Sequence, residues 1–122
     1  MTIALDAMGG DHAPEMVVAG ADLARQRHPE VEFIVFGDEG RLHPLLGQRP
    51  ALQAIAQVHH TADVVSSHAK PSVALRGGRK SSMRLAIDAV QSGQASVVVS
   101  AGNTGALMAM AKMVLKTLPG IH

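Results

Sequence analysis

Ser96-Val97-Val98-Val99-Ser100-Ala101-Gly102-Asn103-Thr104-Gly105-Ala106 sets a β-branched run, a glycine-punctuated turn and the opening of an apolar-periodic helix side by side. Read together they form a strand–loop–helix unit, with the strand at Ala95–Ser100 and the helix at Leu107–Leu118. A helix start carries unpaired backbone N–H groups and the positive end of the dipole, so it favours an anion. Gly102 and Gly105 let the backbone approach a ligand closely, and Ser100, Asn103 and Thr104 supply side-chain hydrogen bonds. The other reading of the same turn is a plain strand-to-helix connection in which Asn103 or Thr104 only caps the helix. No Gly-Lys-Ser/Thr follows, so the turn is not a Walker A loop, and the G-x-G-x-x-G dinucleotide fingerprint is missing. The residues support neither an NTP nor NAD, and no cofactor is expected.

Working outward, the same alternation recurs along the chain. Ile3–Asp6 predicts a first buried strand, followed by a loop at Met8–Pro14. Val17, Ala21 and Ala24 then recur at helical spacing, with Glu15, Asp22 and Arg25 expected outside, and His28-Pro29 ends the helix. Val31–Gly37 contains the continuous apolar run Phe33-Ile34-Val35-Phe36, the mark of a strand covered on both faces of a parallel sheet. Glu39–Leu46 predicts a short helix interrupted or bent at Pro44, and Gln53–His59 a third strand. Thr61–Ser72 is polar, and Pro71 begins a short helix through Arg76. Ser81 or Ser82 caps a helix with Met83, Ile87 and Val90 on one stripe, ending at Gly93. Lys112 and Lys116 lie opposite Leu107, Ala111, Val114 and Leu118 on the last helix, which Pro119-Gly120 stops. The β-α-β-α-β-α-β-α order predicts an α/β fold with an open, mainly parallel sheet and helices on both faces. The chain ends at Ile121-His122 where another element is expected, so residues 1–122 read as the N-terminal part of a single, truncated α/β domain.

Composition narrows the function classes. The 122 residues allow one domain, able to bury roughly two-thirds of its unfolded surface. With Phe33 and Phe36 as the only aromatics, the core is built from Ala, Val, Leu, Ile and seven Met, and stacking platforms for single-stranded nucleic acid are missing. A net charge of +1 gives no general attraction to nucleic acid or membrane. The absence of cysteine excludes a disulfide framework, a thiolate metal site and a cysteine nucleophile, and fits a reducing cytoplasm. No apolar run approaches the ~20 residues of a membrane span, and no secretory signal opens the chain. The histidines lack HExxH-type spacing, and Asp11-His12 alone is too little for a metal site.

Two loops fall at predicted strand C-termini, where open α/β sheets bind ligands. In the first, Asp6-Ala7-Met8-Gly9-Gly10-Asp11, the acids either orient a ligand, accept a proton, or simply satisfy turn N–H groups. Ser100–Ala106 is the second. Arg76, Arg79, Lys80 and Arg84 form the one dense basic cluster, either a solvated surface or a dock for an acidic partner. Ser81 and Ser82 beside it are helix caps or substrate hydrogen-bond donors.

Taken in order, Ile3-Ala4-Leu5-Asp6-Ala7-Met8-Gly9-Gly10-Asp11 with Pro14, Ser81-Ser82-Met83-Arg84, and Val98-Val99-Ser100-Ala101-Gly102-Asn103-Thr104-Gly105-Ala106-Leu107 closely resemble the bacterial phosphate acyltransferase family (acyl-[acyl-carrier-protein]:phosphate acyltransferase). The resemblance runs from Met1 to about Gly120 and covers only the N-terminal part of the much longer family members. It implies a Rossmann-like three-layer fold related to phosphotransacetylases and isopropylmalate dehydrogenase, and a homodimer. The implied setting is cytoplasmic with peripheral membrane association, and the implied partners are acyl carrier protein and inorganic phosphate. The implied reaction moves a long-chain fatty acyl group from the carrier protein to phosphate for phospholipid synthesis. On this reading Asp6 and Asn103 are catalytic candidates. Gly9, Gly10, Asp11, Ser100, Gly102, Asn103, Thr104 and Gly105 bind phosphate or substrate, and Arg76, Arg79, Lys80 and Arg84 meet the carrier protein. A noncatalytic phosphate- or nucleotide-binding module and an inactive truncation are the rival readings.

Overall fold

A computed structural model describes residues 1–115; Lys116, Leu118 and the Pro119-Gly120 helix stop lie outside the described residues. The elements run β1 (Thr2–Asp6), α1 (Glu15–Arg27), β2 (Glu32–Gly37), α2 (Glu39–Gly47), α3 (Pro50–Gln53), β3 (Ala56–His60), α4 (Pro71–Gly77), α5 (Ser82–Gln91), β4 (Val97–Val99) and α6 (Thr104–Leu115). All pairings are parallel, and the sheet order is β3-β2-β1-β4. After β3 the chain crosses back over β1 to lay down β4, so the order reverses between β1 and β4. Such a switch point splays successive connections to opposite faces and opens a crevice at the strand C-termini.

Register explains the layers. Leu5, Phe33 and Val35 point to one face and pack with Val18 and Ala21 of α1, Leu42 and Leu46 of α2, and Leu52 of α3. Ala4, Ile34 and Phe36 point to the other and meet Ala86 and Ala89 of α5. Met83 and Ile87 of α5 turn sideways onto Ala106 and Met110 of α6 and Ala74 of α4. The result is the open parallel sheet with helices on both faces that the order of elements predicts, and the three layers that the resemblance implies, with small alanines letting α5 lie close to the sheet. All four residues of the Phe33–Phe36 run are buried, as a doubly covered strand requires. Val97 and Val99 are different. They sit on an edge strand of three residues and remain 40% and 48% exposed.

Several local expectations shift. Gln53 belongs to a one-turn helix, α3, because Pro50 presets the first helical φ and Leu52 is drawn into the core; β3 begins only at Ala56. Helix α2 runs on through Pro44, which is exposed and opposite the buried Leu42 and Leu46. The last helix starts at Thr104, three residues before Leu107, since Asn103 Oδ1 accepts the Ala106 N–H and caps it there. Asp22, expected outside, is buried. It accepts from Arg25 Nε at 2.8 Å and from Arg49 Nη1 at 2.9 Å, strapping α1 to the start of α3. The hydrogen bond from Arg25, then that from Arg49, holds the Asp22 carboxyl below the usual carboxylate range, against the opposing pull of burial.

Candidate functional site

The loops that follow β1 and β4 leave the C-terminal edge of the sheet as neighbours because their strands are paired. Their backbones touch. A Cβ at Gly9 would lie 2.6 Å from Asp6 Oδ2 and 2.9 Å from the Gly102 nitrogen, and one at Gly102 would lie 3.2 Å from the Gly9 Cα. Gly10 has φ of +102°, in the left-handed region that favours glycine, and faces the Ala101 carbonyl. Gly9, Gly10 and Gly102 are therefore required for the approach of one loop to the other.

Beneath this contact lies Asp6, 2% exposed. Its Oδ1 accepts from Ser82 Oγ at 2.5 Å and from the Met8 N–H at 3.2 Å, and its Oδ2 accepts from Ser100 Oγ at 2.7 Å. Among the described residues no cation pairs with it. Ser100 Oγ in turn accepts the Gly102 N–H at 3.1 Å. Asn103 is fully engaged: Nδ2 donates to the carbonyls of Ser66 at 3.0 Å and Ala69 at 2.7 Å, while Oδ1 caps α6. Its side chain thus pins the turn to the loop preceding α4. The backbone N–H groups of Asn103, Thr104 and Gly105 meet no acceptor among the described residues, since no helical carbonyl precedes them at the start of α6.

Of the sequence-predicted site residues, the structure brings together Asp6, Gly9, Gly10, Ser100, Gly102, Asn103, Thr104 and Gly105. Asp11 is exposed at the outer rim of the first loop. A cavity of about 600 Å³ opens beside the loops, with Asp6, Asp11 and Ser100 at the loop end and Leu5, Val17 and Val99 along its apolar wall. Arg76, Arg79 and Lys80 are exposed around the turn from α4 to α5. Arg84 stands apart from them. Its side chain is 17% exposed, Nε donates to Asp88 Oδ1 at 3.1 Å, and Nη1 is buried without a partner among the described residues.

Sequence reading missed the cavity, the strap from Asn103 to residues 66–69, and the contact of Ser82 with Asp6. One signal for the last was available: two adjacent serines open α5, and only one can cap it. Ser81 does so, accepting the Arg84 N–H at 3.2 Å. Among the described residues no three His, Cys, Asp or Glu side chains cluster closely enough to hold a metal ion, and no helix is long and apolar enough to cross a membrane.

A parallel open sheet with two glycine loops joined over its switch point defines an α/β protein with a crevice at the strand ends, the place where open α/β sheets in general bind ligands. Within that class the chain belongs to the family described as "Fatty acid synthesis protein", whose model matches residues 1–122. It is 71% identical over 119 residues to the phosphate acyltransferase of Rhodospirillum centenum, covering 98% of this chain and 34% of that protein. To the phosphate acyltransferase of Rhodospirillum rubrum it is 59% identical over 121 residues, covering 99% and 35%. The corresponding protein of Paramagnetospirillum magneticum is 56% identical over 121 residues. The chain spans about a third of the length of these curated relatives.

Proposed function

We propose that the complete protein carrying this sequence transfers a long-chain fatty acyl group from acyl carrier protein to inorganic phosphate, giving the acyl phosphate used in phospholipid synthesis. The observation that carries this reading is the joined pair of glycine loops with the open N–H groups of Asn103, Thr104 and Gly105, in a chain whose relatives are named phosphate acyltransferase. On the same reading residues 1–122 are the N-terminal part of a single α/β domain.

Phosphate is an anionic nucleophile at neutral pH, and a thioester carbonyl accepts it without a covalent enzyme intermediate. A phosphate oxygen bonds to the carbonyl carbon, the tetrahedral oxyanion collapses, the C–S bond breaks, and the pantetheine sulfur leaves as thiolate and takes a proton. The chain's part is to hold phosphate in line and to present fixed N–H dipoles. Asn103, Thr104 and Gly105 offer these, with Gly9, Gly10, Ser100 and Gly102 shaping the cradle and Asp11 at its rim. Asp6 and Asn103 orient the loops through the bonds described above. The apolar cavity running from the loops beside α1 suits the acyl chain. Arg76, Arg79 and Lys80, with Arg84 behind them, face the acidic carrier protein, a complementarity that acts mainly on encounter rate. Homodimerisation, a cytoplasmic setting and peripheral membrane association complete the proposal.

The exposed edge of β4 favours a second expectation, that residues 1–122 alone hold only part of the crevice and do not turn over. The test is release of thiol from acyl-[acyl carrier protein] as a function of phosphate concentration. Phosphate-dependent release by the complete protein supports the enzyme. Its absence there leaves a noncatalytic anion-binding module, and turnover by the 122-residue chain refutes the second expectation.

A further inference from the structure

We propose that Ser82 is a positioning residue for the phosphate-binding turn, acting through Asp6 on Ser100; this rests on the phosphate reading above. Ser82 is 1% exposed at the first position of α5, and the helix has no use for its hydroxyl. Ser81 already caps α5 and donates its own proton to the Gly78 carbonyl at 2.6 Å. Ser82 Oγ instead reaches back 76 residues to Asp6 Oδ1 at 2.5 Å, the short range of a hydroxyl on a carboxylate.

The bonds have one consistent direction. Ser82 and Ser100 each give a proton to one oxygen of the same carboxylate, so the two hydroxyls fix its rotation about Cβ–Cγ. With its proton committed downward, Ser100 Oγ turns a lone pair toward the Gly102 N–H. That bond withdraws the Gly102 N–H from any ligand and sets the course of the turn, leaving the N–H groups of Asn103, Thr104 and Gly105 as the ones presented. Gly9 keeps the carboxylate covered, because even a methyl group there would meet Oδ2. Removing the Ser82 hydroxyl leaves Oδ1 with only the longer Met8 bond, and the carboxylate is then able to rotate away from Ser100. The effect belongs to phosphate: the bonds end on the turn and meet the cavity only at its loop end, through Asp6 and Ser100, away from the apolar wall of Leu5, Val17 and Val99 and from the exposed basic residues.

The test is steady-state kinetics of the complete protein with phosphate and acyl-[acyl carrier protein] varied separately. Ser82→Ala is expected to raise the KM for phosphate about tenfold or more while leaving the KM for the acyl donor close to wild type. Ser82→Thr, which keeps the hydroxyl, restores the phosphate KM. Ser82→Ala combined with Ser100→Ala raises it no further than Ser100→Ala alone, because both act through one carboxylate. A loss of kcat with both KM values unchanged, or a double variant whose effects add in full, overturns the proposal. Where Ser82→Ala does not fold, Ser82→Cys, close in volume and a weaker donor, carries the same comparison. Wild-type turnover with an unchanged phosphate KM in the variant overturns the role of Ser82 alone. If the wild type shows neither phosphate-dependent turnover nor calorimetric binding of inorganic phosphate, the phosphate reading itself fails and takes this role with it.

Discussion

Asp6 and Asp22 are both buried aspartates, one beneath the crevice loops and the other in the α1–α3 layer, and the fold satisfies them by different chemistry. Asp22 faces two guanidiniums, Arg25 and Arg49, and the group they form is closed: charge meets charge, and two helices are strapped together. Asp6 faces two hydroxyls and a backbone N–H, with no cation among the described residues. Neutral donors fix the carboxylate without placing a competing positive charge beneath the turn. The contrast separates a group that ties two elements together from one whose bonds run on through Ser100 into the turn after β4.

The contrast is tested most sharply by removing each carboxylate. Asp6→Ala leaves the buried Ser82 hydroxyl and the half-buried Ser100 hydroxyl without their acceptor and frees the Met8 N–H, a loss expected at about 3 kcal/mol in urea unfolding. Ser82 and Ser100 have no other acceptor nearby to which their protons are already directed. A loss below about 1 kcal/mol would mean that water or a neighbouring carbonyl replaces the carboxylate, and that the hydroxyls do not depend on it.

Gly9→Ala breaks the same region from above. The added Cβ would meet the Asp6 carboxylate and the Gly102 backbone at once, and backbone cannot swing aside as the end of a flexible side chain does. Overpacking of this kind costs about 2 kcal/mol. In the complete protein it is expected to abolish phosphate-dependent thiol release before the fold is lost, which activity and circular dichroism measured together will show.

Asp22→Asn probes the other region, and pH is its readout. Because the folded carboxyl titrates below its ordinary value of 3.8, folding gains from Asp22 at all pH values above that point. The gain falls away as pH drops through the lowered folded value and both states become protonated. Wild type is therefore expected to be more stable than Asp22→Asn at neutral pH, by less than the Asp6→Ala loss, since Arg49 is partly solvated. The difference should shrink in acid below pH 3.8. A difference that stays constant down to that range would show that packing of the amide, not the ion pairs, carries the effect.

These regions were unequally legible in the sequence. The strand β2 and the glycine loops were readable because their signals are local: a continuous apolar run, and glycines next to the end of a β-branched run. Asp22 was misplaced because helical spacing near Arg25 looks like a surface pair, and its burial depends on Arg49, 27 residues away. The bonds of Asp6 span 76 and 94 residues. No periodicity carries such information; it follows from strand order, which sets β4 against β1 and brings the start of α5 over both. The short helix α3 is hidden at the front of Gln53–His59, which reads as one strand, because Pro50 and the pull of Leu52 into the core decide there instead. The edge position of β4 was equally hidden, since Val97-Val98-Val99 reads the same whether covered or open.

The smallest expected effect lies on α1 and has the opposite sign. Gly20 stands in the helix interior, where a Cβ would meet nothing within 4 Å, unlike Gly9 and Gly102 across the crevice. Its only structural consequence is the extra backbone freedom of the unfolded chain, so Gly20→Ala is expected to stabilise by about 0.5–1 kcal/mol. Urea midpoints at unchanged m-value will measure it. An equal gain from Gly9→Ala would erase the distinction between the two regions, because it would mean that neither loop glycine is held by the approach of the other backbone. A loss from Gly20→Ala would instead place an atom against α1 that the described residues do not supply, and would mark the apolar cavity beside it as a filled interior in the complete protein.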